Sequence, residues 1–182
     1  MKIYLTQLEF NFVATTYRNS RHELEHELKA LLKDFEPIVF FPLKLNSVSY
    51  GKLNGDPIRA SEILWNLAYS DPWKVRRTLR FVPLEINCNV DAIELKKMTK
   101  EIAEKIPAGS SYKIEAELRF SDLNRNELIK IIAEEIQRKV NLEKPEYIVE
   151  LQIINKSCGM ALLKENMIFK SLEAKLAGSN FP

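Results

Sequence analysis

The ten residues from Tyr112 to Ser121, YKIEAELRFS, alternate without a break. Tyr112, Ile114, Ala116, Leu118 and Phe120 are apolar, while Lys113, Glu115, Glu117, Arg119 and Ser121 are polar. A period of two is the side-chain repeat of a β-strand, so this segment is a strand with its first set on a core and its second toward water. Arg119 is therefore expected to face solvent. Helical periods flank the strand. Asp91 with Glu94 forms a capping pattern, and Leu95, Met98, Ile102 and Ile106 follow on one helical face until Pro107 and Gly109 break it. Asn124 with Glu127 starts another helix, in which Leu128, Ile132, Ile136 and Val140 recur every four residues. Then comes KVNLEKPEYIVELQIINKSCGMALLK, Lys139 to Lys164: a helix end, a hinge, and two apolar strands joined by a polar loop around Gly159. The result is a mixed sheet covered by helices.

The chain before this unit has its own pattern. Leu8, Phe10, Phe12 and Ala14 alternate with Glu9, Asn11 and Val13, which predicts a strand over 8–16 with one buried face. Ser20 with Glu23 reads as a capping box for a helix ending near Asp34, its stripe formed by Leu24, Leu28, Leu31, Leu32 and Phe35. PIVFFPL and NSVSYGKL are two short strands. Asp56-Pro57 opens a second helix, since proline suits a first turn, and Pro72 stops it. A last strand runs from about Leu79 to Val90, with Val82, Leu84, Ile86, Cys88 and Val90 on one side. Strand, helix, strand, strand, helix, strand is the split βαβ order of ferredoxin-like folds. The fold class is thus α+β, with a ferredoxin-like domain over 1–90, a second domain over 91–170, and a tail over 171–182 that is frayed or a short helix.

Composition suits two units. The chain has 182 residues, 46% of them hydrophobic and 29% charged, enough for one sizeable core or two small ones. No apolar run approaches the roughly 18 residues that cross a bilayer, and MKIYLTQLEF lacks the pattern of a signal peptide, so a cytoplasmic protein without a membrane partner is expected. Cys88 and Cys158 are far apart in sequence and read as small core residues.

Net charge is only +2, from 27 basic and 25 acidic side chains, so a polyanion partner has to be sought in local clusters. The run WKVRRTLR, Trp73 to Arg80, gathers Lys74, Arg76, Arg77 and Arg80 with no acid among them. It reads either as a solvated linker or as a phosphate contact, which forked guanidinium groups suit. In the second unit Arg119, Arg125, Lys139 and Lys156 can share one rim. Gly159, placed at the hairpin bend, serves backbone geometry or the close approach of a nucleic-acid backbone. Trp73 and Tyr112 are candidates for stacking on bases, or for packing.

Catalytic signatures are sparse. The five glycines form no phosphate-binding loop, and no cofactor is expected. His22 and His26 have metal-ligand spacing on a polar helix face, but solvated histidines are the simpler reading. Glu115 and Glu117 project from one strand face as a possible acid/base pair, although exposed alternating charges usually serve solubility.

The segment NRNELIKIIAEEIQRKVNLEKPEYIVELQIINKSCGMALL resembles the THUMP domain, an RNA-binding module, in its helix end Lys-Val-Asn-Leu, its proline hinge and its strand, glycine-bearing loop and strand. That family commonly has Val-Asp-Leu-x-Asn-Pro-Asp at the hinge; here Asn141 replaces the acid, and Lys144 and Glu146 flank Pro145. FNFVATTYRNSRHELEHELKALL and RFVPLEINCNV are similar to the domain that precedes THUMP in a stand-alone subfamily. The resemblance covers about residues 8 to 170. It implies a tRNA-binding adaptor that recognises the 3′ acceptor end and assists a separate cytidine acetyltransferase forming N4-acetylcytidine, with no catalytic group of its own. Arg76, Arg77, Arg80, Arg119, Arg125, Lys139, Lys156 and Gly159 would be the RNA contacts. The family's basic cluster after the exposed strand is reduced here to RFSDLNR, which implies modest affinity for tRNA alone. Two rivals are a protein-interaction scaffold that binds a partner or itself through a sheet edge, and a small enzyme using the Glu115/Glu117 face. Oligomeric state stays open.

Overall fold

A computed structural model describes residues 9–179, so the expected strand start at Leu8 and the last three residues of the expected tail lie outside the described residues. The elements in chain order are β1 (Phe12–Thr15), α1 (Arg21–Leu31), β2 (Val39–Phe40), β3 (Val48–Lys52), α2 (Pro57–Ser70), β4 (Arg80–Pro83), β5 (Ile86–Asn89), α3 (Ala92–Glu104), β6 (Ser111–Arg119), α4 (Arg125–Glu134), β7 (Lys139–Val140), β8 (Tyr147–Ile154), β9 (Ser157–Leu163), β10 (Phe169–Lys170) and α5 (Ser171–Ser179). They form two compact units. Of the described residues, one holds 10–84 and 166–179, and the other holds Glu9 and 85–165, where the sequence reading divides the chain at 90 and 170.

The expected single strand over 79–90 is two strands in two sheets. The Leu84 amide donates to the Asn11 carbonyl at 2.9 Å, and the next amide, of Glu85, donates to the Met160 carbonyl at 3.0 Å. The apolar alternation of Val82, Leu84, Ile86 and Cys88 runs on through the break, although β4 buries both of its faces and β5 buries only Cys88. Periodicity therefore cannot mark the change of sheet.

In the first unit the strand order is β10-β4-β1-β3-β2, with every neighbouring pair antiparallel. Phe12, Ala14, Phe81 and Phe169 meet Leu24, Leu28, Ala60, Leu64 and Ala174 in one core, and the rings of Phe12 and Phe81 stack at 5.2 Å. Val13 is buried as well, so β1 does not leave a face in water as its alternation suggests. α2 starts as expected, with the Asp56 carboxylate accepting from the Ile58 amide at 2.9 Å and Pro57 in the first turn. The capping box at Ser20 does not form, since its side chain makes no cap bond. Arg21 instead anchors α1, donating to Glu25 Oε1 at 2.7 Å and to the carbonyls of Leu43 and Phe41 at 2.6 and 2.7 Å.

After Glu165 the chain returns to this unit. β10 pairs with β4, and the Trp65 indole N–H donates to the Ile168 carbonyl at 3.1 Å. α5 packs closely on α2: a Cβ at Gly178 would stand 2.2 Å from the Tyr69 carbonyl oxygen. The tail is thus a short helix belonging to the first unit.

The second unit orders its strands β5-β9-β8-β6-β7, with β6 parallel to both β7 and β8 and the other pairs antiparallel. α3 and α4 supply Leu95, Ile102, Leu128 and Ile132 to a core shared with Tyr112, Ala116, Val149, Leu151 and Ile153. α4 ends at Glu134, earlier than its four-residue period suggests, and Lys139–Val140 form an exposed parallel strand. The Arg138 guanidinium, bonded to the Ile106 carbonyl at 3.0 Å, and the Asn141 amide, bonded to the Tyr112 carbonyl at 2.9 Å, draw the chain onto the edge of β6. Cys88 and Cys158 face each other across β5 and β9. The hydrogen bond to Cys88, together with burial, holds the Cys158 thiol well above the usual cysteine range.

Two outcomes follow from this packing. Phe169→Ala should cost about 3–5 kcal/mol, as for other buried aromatics, read as a lower denaturation midpoint. A dispensable β10 would leave the midpoint unchanged. At pH near 8.5, where an exposed cysteine is partly thiolate, native protein should resist iodoacetamide at Cys158 and react only after unfolding, as peptide mass spectrometry would report.

Candidate nucleic-acid interface

β6 and β8 run side by side in register from Tyr112↔Tyr147 to Arg119↔Ile154, so their carboxyl ends coincide. The hairpin that follows β8 turns at Asn155 and Lys156, with Asn155 at φ 54°. Its tip is tied on both sides. The Asn155 amide donates to the Arg119 carbonyl, and the Val90 amide to the Lys156 carbonyl, each at 2.9 Å. Both helices begin at this end. Asp91 caps α3 through the amides of Ile93 and Glu94, and Asn124 caps α4 through those of Asn126 and Glu127. Helix amino termini carry partial positive charge, which suits an anionic ligand.

On this rim Lys156 and Arg125 are exposed. Arg125 also donates from Nε to the Ala116 carbonyl at 2.8 Å, which braces α4 on β6 and fixes where the guanidinium stands. The exposed apolar residues Ile93 (82%) and Phe120 (50%) accompany them. Phe120 was expected in the core. Its φ of 54° ends the strand's alternation and turns the ring outward.

Two expected site residues, Lys139 and Gly159, sit elsewhere, and Arg119, at this end of β6, is engaged within the sheet. Arg119 is half-buried and donates to Gln152 Oε1 at 2.6 Å, while Gln152 donates in turn to the buried Glu150. On the polar face of β6 Lys113 pairs with Glu115 at 2.6 Å, so part of that face is internally engaged, while Glu117 is exposed. Lys139 pairs with Ser111, at the other end of β6 from Arg119. Eight residues of strand separate the two ends, about 26 Å, so the four cations do not share one rim. Gly159 is buried within β9, opposite Asn87 and Gln152, and does not lie at the bend.

The first unit carries the other candidates. Arg76 and Arg77 are exposed in the loop after α2, whereas Arg80 is half-buried in β4, opposite Thr15 and Lys170. The Arg76 Nε–H donates to the Trp73 carbonyl at 2.7 Å, and Trp73 is 77% exposed. Glu27, which sequence reasoning missed, organises this loop. Its carboxylate accepts from the amides of Arg76 (2.8 Å), Arg77 (2.9 Å) and Thr78 (2.8 Å) and from the Thr78 hydroxyl (2.8 Å). No local pattern could reveal it, because the partners are about fifty residues apart. Tyr112, the other stacking candidate, is core: it is 1% exposed and burial raises its phenol pKa. The rings of His22 and His26 meet edge to face at 4.8 Å, and among the described residues no group of three or more His, Cys, Asp or Glu could hold a metal.

The hinge explains its own departure. Asn141 Oδ1 accepts from the amides of Glu143 and Lys144 at 3.2 and 3.1 Å, and the Glu146 carboxylate accepts from the Ser111 amide at 2.8 Å. Asparagine offers there the same oxygen acceptor as aspartate.

Residues 89–163 match the THUMP domain, so the chain carries a THUMP domain. Its similarity to curated proteins is to THUMP domain-containing protein 1: those of Bos taurus and Mus musculus are each 29% identical over 117 residues, covering 59% of this chain and 33% of theirs. The chain thus spans about a third of the length of these relatives. Among solved structures, the PH1313 protein of Pyrococcus horikoshii matches with a TM-score of 0.65 at 12% identity, over 89% of this chain and 55% of that one. TrmN of Thermus thermophilus matches at 0.58 and 13% identity, over 85% and 45%. A 4-thiouridine synthetase in complex with RNA and ATP matches at 0.53 and 12% identity, over 89% and 42%.

Substitutions separate anchors from free charges. Arg119→Ala, which leaves the buried Gln152 acceptor without this donor, should cost about 1–3 kcal/mol of stability. Lys156→Ala should stay within about 0.5 kcal/mol in the same urea titration.

Proposed function

We propose that this protein is a tRNA-binding adaptor acting in the cytoplasm, which holds the 3′ acceptor region for a separate modifying enzyme, a cytidine acetyltransferase, and contributes no catalytic group. The observation that carries this reading is the rim at the carboxyl ends of β6 and β8, where exposed Arg125 and Lys156 flank two helix amino termini within a THUMP domain. A THUMP domain implies RNA binding, and the similar 4-thiouridine synthetase was solved with RNA. The first unit we read as ferredoxin-like, on its β4-β1-β3-β2 order. Contacts of this kind hold phosphates and carry little base identity, so an end is recognised through shape and unpaired bases.

The test is fluorescence anisotropy with an intact tRNA and with the same tRNA lacking its terminal CCA, across a salt series. Intact tRNA should bind more tightly, with affinity falling steeply as salt rises. Arg125→Ala and Lys156→Ala should each flatten the salt dependence by about one charge. Equal or salt-insensitive binding of the two tRNAs would remove the adaptor reading and favour the protein-interaction scaffold.

A further inference from the structure

The loop joining α2 to β4 belongs to the first unit and lies outside the THUMP match. Three consecutive backbone amides, from Arg76 to Thr78, point into one concavity, an arrangement that collects anions. The anion that fills it is internal. Glu27 reaches across from α1 and satisfies all three amides and the Thr78 hydroxyl. Arg76 then closes back on the backbone carbonyl of Trp73, a residue that is 77% exposed.

Trp73 has no packing role that accounts for its place, since a side chain so exposed contributes little to a core. The Leu79 amide donates to the Thr15 carbonyl, so this loop leaves the sheet at the same end as the loop after β1, which carries Arg18 and the half-exposed Tyr17. Aromatic surfaces interleaved with guanidinium groups fit single-stranded nucleic acid: bases stack on rings and phosphates lie on cations. A protein partner would use the same aromatic, but Arg76 and Arg77 are exposed while the Glu27 carboxylate is taken up by the backbone amides, which favours a polyanion.

We propose that Trp73, Arg76 and Arg77 form a second RNA contact, for an unpaired segment, and that Glu27 is its positioning residue: by filling the amide concavity it holds the loop in its binding shape. The proposal rests on the RNA-binding reading above. It makes a prediction of unusual sign. Glu27→Gln raises the net charge from +2 to +3, which by long-range attraction alone would tighten RNA binding. If Glu27 positions the loop, binding weakens instead.

Anisotropy with intact tRNA at fixed salt reads the outcome, with circular dichroism confirming that each variant is folded. Trp73→Ala should weaken binding about ten-fold, the worth of one base–aromatic stack. Glu27→Gln should weaken it about five-fold, the worth of one hydrogen bond. In the background of Trp73→Ala, Arg76→Ala and Arg77→Ala together, Glu27→Gln should lose nothing further. Full additive loss in that background, or tightening by Glu27→Gln, overturns the positioning role. If wild type binds tRNA and Arg125→Ala weakens it while Trp73→Ala and Arg77→Ala do not, the second contact is wrong and the THUMP reading stands. If wild type shows no salt-dependent binding at all, the RNA reading itself falls and this contact with it.

Discussion

The parallel register of β6 on β8 is the interaction on which the rest of the second unit depends. Eight paired positions bring two strand ends level, and everything on the candidate rim is fixed relative to that edge. The hairpin is tied to it through the Arg119 carbonyl, α4 is braced on β6 through the Arg125 guanidinium, and the hinge is stitched to the other end of β6 through Ser111 and Tyr112. A slip of one residue would exchange the apolar and polar faces of the pair. Buried Leu151 and Ile153 on one side and the Glu150–Gln152 network on the other make such a slip costly.

Two kinds of charge emerge from this arrangement. Arg119, Arg125, Arg138 and Arg21 each spend a guanidinium nitrogen on a neighbouring carbonyl or amide oxygen, so they act first as struts. Lys156 and the Arg77 guanidinium stand exposed on turns and loops, where arrival of a polyanion requires no strut to break. Arg125 belongs to both groups: one nitrogen positions it, and the remaining donors of its fork are available for phosphate.

The legible parts of the fold were local. Caps at Asp56, Asp91 and Asn124 bond amides two or three residues away, so a short stretch contains the whole interaction. The cap at Ser20 was misread because α1 is held by Arg21 through Phe41 and Leu43, twenty residues distant. The sheet change at Leu84 is invisible because apolar residues alternate in the sequence from Val82 to Val90 without a break. The candidate residues Arg76, Arg77, Arg125 and Lys156 were readable as basic positions and are exposed, but the grouping of candidates was not readable, since only the pairing of β7 with Ser111 reveals that Lys139 sits at the far end. Glu27 lay beyond reach for the same reason.

The return of the chain at Asn166 has a consequence for the order of synthesis. The first unit's edge strand β10 is separated from its partner β4 by the entire THUMP unit, so a chain emerging from the ribosome cannot complete its first sheet until the second has been made. An unstructured loop of that length would oppose closure entropically. The folded insert removes most of that opposition, because β5 and β9 pair with each other and set its two ends side by side, Glu85 bonded to Met160. The later module is thus the template on which the earlier one is finished.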